Sequence, residues 1–154
     1  MDCPEIRNLI SHRDPAFIDM LGDYLEEESS NGSELSPSVR NFNFLAEIAR
    51  LYLFGQIDGV VLLAGEVGFL LWGKAPNQLD YRWGKTAVGW GTYVRPGFRG
   101  QGISKALREE GKRQLRNKGF AVVLGAVLVG NTAGKESGIK AGFEIYREQG
   151  VLRL

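Results

Sequence analysis

Residues 59 to 73 read GVVLLAGEVGFLLWG, two apolar runs on either side of Gly65-Glu66, and this stretch constrains the fold most. A glycine and one carboxylate at the centre of an otherwise apolar run are the pattern of a β-hairpin. As a membrane span the run is too short, and Glu66 interrupts it. Downstream, NQLDYRWGK is a polar loop, and TAVGWGTYV (Thr86 to Val94) is a third extended run, so these strands form an antiparallel meander.

Upstream, EIRNLI predicts a short first strand. It leads into RDPAFIDMLGDYLEEE, where Asp14 can cap a helix that has Pro15 in its first position. Phe17, Met20, Leu21 and Leu25 keep helical spacing there. SSNGSELSPS reads as a loop between helices, and a second helix is expected over much of Arg40 to Leu53, with Phe44, Leu45, Ile48 and Leu51 on one face. Beyond the meander, Ile103 to Asn117 predicts an amphipathic helix with Ile103, Ala106, Leu107 and Leu115 toward the core, ended by Lys118-Gly119. FAVVLGAVLV follows as a buried strand, Thr132 to Ala141 as a short helix, and GFEIYRE and VLRL as two closing strands. The order is β-α-α-β-β-β-α-β-α-β-β, without an internal repeat, and 154 residues suit a single domain spanning 1–154.

Composition excludes little. The formal charge is +1, so the global balance selects no partner, and the single cysteine, Cys3, excludes an internal disulfide. No Cys/His cluster has zinc spacing, so no metal is expected. Cys3 and His12 read as structural rather than as a nucleophile and its base. A reducing, cytoplasmic setting is expected, and the first ten residues lack the basic-then-apolar order of a signal peptide. Charge is unevenly distributed. Met1 to Ser36 carries nine acidic and two basic side chains, whereas Arg95 to Gly119 carries eight basic and two acidic.

The basic stretch opens on YVRPGFRGQGISKAL, residues 93 to 107, where an extended run turns through three glycines into a helix. A helix N-terminus leaves backbone N–H groups unpaired and carries partial positive charge, so bare backbone there can hold a phosphate. The named phosphate loops do not fit. GFRGQGIS has Ile103 and Ser104 where a Walker loop needs Lys and Ser/Thr, and GQGISK puts Lys105 at the third glycine of a dinucleotide fingerprint.

VRPGFRGQGIS does resemble the acetyl-CoA-binding motif of the GNAT N-acetyltransferase superfamily: Arg or Gln, two residues, Gly, one residue, then Gly or Ala. Arg99, Gly102 and Ser104 occupy those positions, with Ser for the last small residue. Twenty-seven residues beyond Ser104, NTAGKESGIKAGFEIY from Asn131 resembles the family's second motif. The resemblance implies a GNAT acyl-CoA N-acyltransferase fold of the α/β (α+β mixed sheet) class. Its sheet is mostly antiparallel, its fourth and fifth strands splay apart, and its helices lie on both faces. It further implies that acetyl-CoA is the cosubstrate. The amides of Arg99, Gly100, Gln101, Gly102, Ile103 and Ser104 would hold its pyrophosphate, with Lys105 or Arg108 near outer phosphates. The main chain of Tyr93 and Val94 would pair with the pantetheine arm, Asn131 would contact it, and an amide in WGTYV would meet the thioester oxygen.

Two departures bear on mechanism. The family's tyrosine acid falls at Gly138, which leaves Ser137, Tyr146 or water to protonate the leaving thiolate, or leaves the step without an acid. The fourth strand, Thr86 to Val94, contains no carboxylate base, so a water chain is expected to take the amine's proton. For the acceptor, Trp83 beside Tyr81, Trp90 and the Glu26–Glu28 cluster (Glu28 above all) are the candidate side chains. The resemblance thus implies acetyl transfer to a primary amine of a small molecule, peptide or protein, by a monomer or homodimer. A catalytically degenerate acetyl-CoA-binding module is the alternative. Nucleic acid, which the basic stretch would also suit, is not the expected partner, and neither is a membrane.

Overall fold

The computed structural model describes residues 3–32, 39–126, 131–147, 152 and 154. Five strands form one sheet in the order β1 (Ile6–Asn8), β2 (Gly59–Ala64), β3 (Gly68–Gly73), β4 (Thr86–Val94) and β5 (Val122–Gly125). The first three pairings are antiparallel and β4 pairs with β5 in parallel. The helices are α1 (Pro15–Gly32), α2 (Val39–Leu53), α3 (Ile103–Asn117) and α4 (Thr132–Lys140).

Every residue of β2 and β3 is buried, and the alternation of side chains in a strand explains why the apolar runs are continuous. Val61, Leu63, Phe69 and Leu71 point to one face, where Phe17, Met20, Leu21 and Leu25 of α1 and Leu45, Ile48 and Tyr52 of α2 cover them. Val60, Leu62, Leu70 and Trp72 point to the other, under Ile103, Leu107 and Leu115 of α3. The α1 start is capped as its sequence predicts. Asp14 Oδ1 accepts from the amides of Ala16 (2.9 Å) and Phe17 (3.2 Å), a cap that contributes about 1 kcal/mol.

Several expectations need correction. Phe44 is half exposed rather than core, because it stands at the rim of a cleft described below. On α3 the fourth buried position is Gly111 in place of Ala106: a Cβ at Gly111 would come within 3.1 Å of Leu70, so the missing side chain lets the helix lie close to the sheet. The fifth strand is short and half-buried, since among the described residues it has a neighbour on one side only. GFEIYRE forms no strand over its described residues, and Phe143 instead turns its ring edge-on to Trp72, 6.3 Å between centroids. VLRL lies largely outside the described residues.

Candidate active site

The strand β4 carries the site, and its two halves differ. Thr86 to Gly89 pair with Val122 to Gly125 of β5 on the outer side, and Val88 and Gly89 pair with Gly73 and Trp72 of β3 on the other. From Trp90 to Val94 only β3 is beside it among the described residues, so the outer edge opens where the fourth and fifth strands part. The register explains the opening. Leu71 pairs with Gly91 but Trp72 with Gly89, which makes Trp90 the extra residue of a β-bulge. A bulge bends its strand and re-aims the side chains around it.

Arg95 N donates to Val67 O at 2.8 Å, and in an antiparallel ladder hydrogen-bonded pairs alternate. The amides and carbonyls of Tyr93 and Gly91 therefore face β3, and those of Thr92 and Val94 face the open edge. The Val94 carbonyl there accepts from Arg99 Nε at 2.8 Å.

Past Val94 the chain makes one turn of 3-10 helix (Pro96–Phe98), extends at Arg99, and reaches Gly100 (φ 78°) and Gly102 (φ 82°). Left-handed backbone at both positions is what glycine supplies. Gly102 caps α3 without any side-chain cap, and the first helical bond runs from Ala106 N to Gly102 O at 3.0 Å. The amides of Ile103, Ser104 and Lys105 thus precede the helical ladder. A Cβ built on Gly97, Gly100 or Gly102 meets nothing within 4 Å, so the space above these amides is open. Ile103 is buried and anchors the turn, while Gln101 and Lys105 are exposed and Ser104 is half-buried.

The charge asymmetry resolves within the molecule. Arg95 bonds Asp19 (2.8 Å) and Asp23 (3.0 Å), and Arg99 bonds Glu27 at 2.6 Å while lying over the Tyr93 ring. Lys112 and Arg113 pair with Glu109 and Glu110 on α3 itself. Arg108 points to α4, where Nη1 donates to Ser137 Oγ at 2.6 Å and to the Ser137 carbonyl at 3.2 Å. Burial pushes the Arg108 pKa down. Gly138 is the next residue along, and a Cβ there would meet only Phe143, at 3.9 Å. Asn131 caps α4, its Oδ1 accepting from Gly134 N at 3.0 Å.

On the helical side of the bulge is a cleft of about 250 Å³ lined by Tyr24, Leu25, Glu28, Asn41, Phe44, Leu45 and Trp90. Tyr24 donates to the Trp90 carbonyl at 3.1 Å, which pins the bulge to α1. Burial, and then the charges of Glu28 and Glu27, raise the Tyr24 pKa, so its hydroxyl stays a donor. Trp90 Nε1 donates to Tyr52 Oη at 2.8 Å, and Tyr52 in turn donates to Lys74 O at 2.8 Å. The Phe44 ring stands edge-on to Trp90 at 5.4 Å. Burial and then the neighbouring Glu27 raise the Glu28 pKa.

Of the predicted acceptor residues, the structure brings Glu28 and Trp90 together and sets Tyr81 and Trp83 apart. Tyr81, Trp83 and Tyr146 form an aromatic group, with ring centroids 4.9 Å and 5.9 Å from Tyr81, before the first residue of β4. Tyr24, Tyr52 and Phe44 were not singled out as site residues by sequence. The signal that points to them is the bulge, and pairing register is invisible in one strand read alone. Among the described residues, no group of three or more His, Cys, Asp or Glu could hold a metal ion, and no helix is long and apolar enough to cross a membrane.

The sequence profile of the acetyltransferase (GNAT) family matches residues 16–136. The chain belongs to this family of acetyltransferases. No curated protein sequence matches it. Among solved structures, the aminoglycoside N-acetyltransferase AAC(6')-Iy, in complex with the bisubstrate analogue CoA-S-monomethyl-acetylneamine, is 18% identical, with TM-score 0.67 and 97% of each chain covered. The PaiA N-acetyltransferase of Thermoplasma acidophilum, in complex with coenzyme A, is 18% identical with TM-score 0.70, covering 97% of this chain and 94% of that one. The BH1408 protein of Bacillus halodurans, solved as a mutant, is 14% identical with TM-score 0.77, covering 97% and 99%. These likenesses show a shared fold, the mixed sheet with helices on both faces.

Proposed function

We propose that the protein transfers acetyl from acetyl-CoA directly to a primary amine, without an acetylated enzyme intermediate. The observation that carries this reading is the continuity of one bare surface. The outer edge of β4 from Trp90 to Val94, which has no strand beside it among the described residues, leads through the Pro96–Phe98 turn to the helix N-terminus at Gly102. A strand edge pairs with an extended arm, and free helical amides hold a pyrophosphate. The residues present fit acetyl-CoA: the Arg99 to Lys105 backbone for the phosphates, with Lys105 beside them, and the outward groups of Thr92 and Val94 for the arm. Arg99 itself acts on the turn, since its guanidinium spans Val94 O and Glu27.

When bound, acetyl-CoA supplies an acyl thioester. The ammonium first loses a proton to a water chain. The amine nitrogen then forms the new C–N bond, the C–S bond breaks, and CoA leaves as a thiolate. The proton shed by the acylated nitrogen balances the one that the thiolate takes up. An amide of the bulged segment stabilises the developing oxyanion. Ser137 is the positioned proton donor, because the Arg108 cation at its Oγ favours loss of the hydroxyl proton. Calorimetric titration with acetyl-CoA, followed by a transfer assay over an amine panel, tests the reading. Binding with transfer supports it. Binding without transfer to any amine marks a degenerate module, and absence of binding overturns the assignment.

A further inference from the structure

The helix α1 carries its carboxylates on two faces with different fates. Asp19 and Asp23 share an ion pair with Arg95, and Glu27 pairs with Arg99. Glu28 turns the other way, into the cleft beside Trp90. It is the only ionisable carboxylate lining that cleft among the described residues; the remaining walls are the rings of Tyr24, Phe44 and Trp90, the side chains of Leu25 and Leu45, and one amide, Asn41. Phe44 stands edge-on to Trp90 and remains half exposed. The volume, about 250 Å³, lies below the roughly 300 to 1,000 Å³ of clefts for drug-sized ligands.

We infer that the acceptor is a small primary monoamine on an apolar, ring-sized body, its ammonium held by Glu28 and its body enclosed by Tyr24, Phe44 and Trp90. This rests on the acetyl-transfer reading above. One carboxylate matches one cationic centre, and aromatic faces add attraction for a cation and for an apolar body together. A polycationic acceptor, such as an aminosugar or a polyamine, would carry charges into the apolar wall, where each loses hydration without a partner. The bulge places the cleft at the start of the open β4 edge, so an amine held there faces the end of the arm lying along that edge.

The test is calorimetric, with 2-phenylethylamine titrated into protein saturated with CoA, and spermidine and kanamycin as comparators. The expected result is that 2-phenylethylamine binds at least about tenfold more tightly than either. Glu28→Gln should weaken it roughly tenfold or more, and Glu28→Asp should restore part of the loss, with CoA affinity unchanged in both. Phe44→Ala, at a half-exposed position, should weaken it several-fold. No binding of 2-phenylethylamine, tighter binding of spermidine or kanamycin, or indifference to Glu28→Gln would overturn the inference and leave the acetyl-CoA reading standing. Failure of CoA itself to bind would overturn that reading first, and the amine titration on the free protein would then decide the cleft separately.

Discussion

The proposed donor and acceptor surfaces on either side of the bulge at Trp90 are built in opposite ways. On the donor side nearly everything is main chain: a strand edge, two left-handed glycines, and amides ahead of a helical ladder, all within residues 90 to 105. On the acceptor side nearly everything is side chain, contributed by α1, α2 and β4 from positions far apart in sequence. A backbone site recognises what every acyl-CoA shares, whereas a side-chain site can be changed residue by residue while the scaffold stays. The difference teaches that the two halves should fail independently, and this can be tried.

Gly102→Glu should give the largest effect. A carboxylate at the open amides repels the pyrophosphate and imposes about 1–2 kcal/mol of left-handed strain, so acetyl-CoA affinity should fall by roughly 100-fold or more in calorimetry. Gly102→Ala, which carries the strain without the charge, should lose much less; equal losses would show that the site is not an anion site.

Gly91→Ala comes next and strikes the junction. A Cβ there would lie 3.0 Å from the Tyr24 ring, whose hydroxyl pins the Trp90 carbonyl. Overpacking of this kind costs about 1–3 kcal/mol, and turnover should drop about tenfold with acetyl-CoA affinity kept. If affinity and turnover fall together, the bulge serves the donor side as well.

A smaller, several-fold loss of turnover is expected for Ser137→Ala, again without loss of acetyl-CoA affinity, as seen by comparing steady-state rates with titrations. Gly138→Tyr should move turnover the other way. Gly138 has ordinary backbone, and a Cβ there would meet only Phe143 among the described residues, at 3.9 Å, so a side chain can start from this position without strain. Equal rates for Ser137→Ala would remove Ser137 from the mechanism.

The smallest effect concerns stability and separates Glu28 from its neighbours on α1. Its pKa is raised in the folded protein by burial and then by Glu27. The stabilisation linked to its proton is therefore complete below the unfolded value, near pH 4, and is lost as pH rises through the folded value. Glu28→Gln should be the more stable protein at neutral pH, by less than about 1 kcal/mol, and should match the parent in thermal melts near pH 4. A loss of stability at neutral pH would mean that the carboxylate has a structural partner.

How much of this could be read from sequence follows the same division. The glycine turn, the Asp14 cap and the apolar hairpin are local signals, written in neighbouring residues, and each appears where it was expected. The acceptor cleft is not local. Phe44 fits the helical apolar face it shares with Leu45 and Ile48, yet it stands edge-on to Trp90 and is left half exposed at the rim. Glu28 was visible as one of three glutamates, but which of them turns inward depends on how Arg95 and Arg99 engage the rest of α1. β4 itself carries no carboxylate, and the one that lines the cleft among the described residues comes from α1, packed beside it. GFEIYRE shows the reverse error, since its alternating pattern suits a strand while its partly buried Phe143 packs edge-on to Trp72 and its described residues form no ladder.

The account's central claim is that donor and acceptor occupy adjoining surfaces at one time and exchange the acetyl group directly across the bulge. Initial velocities with acetyl-CoA varied at several fixed concentrations of 2-phenylethylamine, or of whichever amine the panel shows to be acetylated, test this most directly. Double-reciprocal lines that intersect, the pattern of a ternary complex, are the predicted result. Parallel lines would mean that acetyl is first parked on the enzyme and would contradict the account.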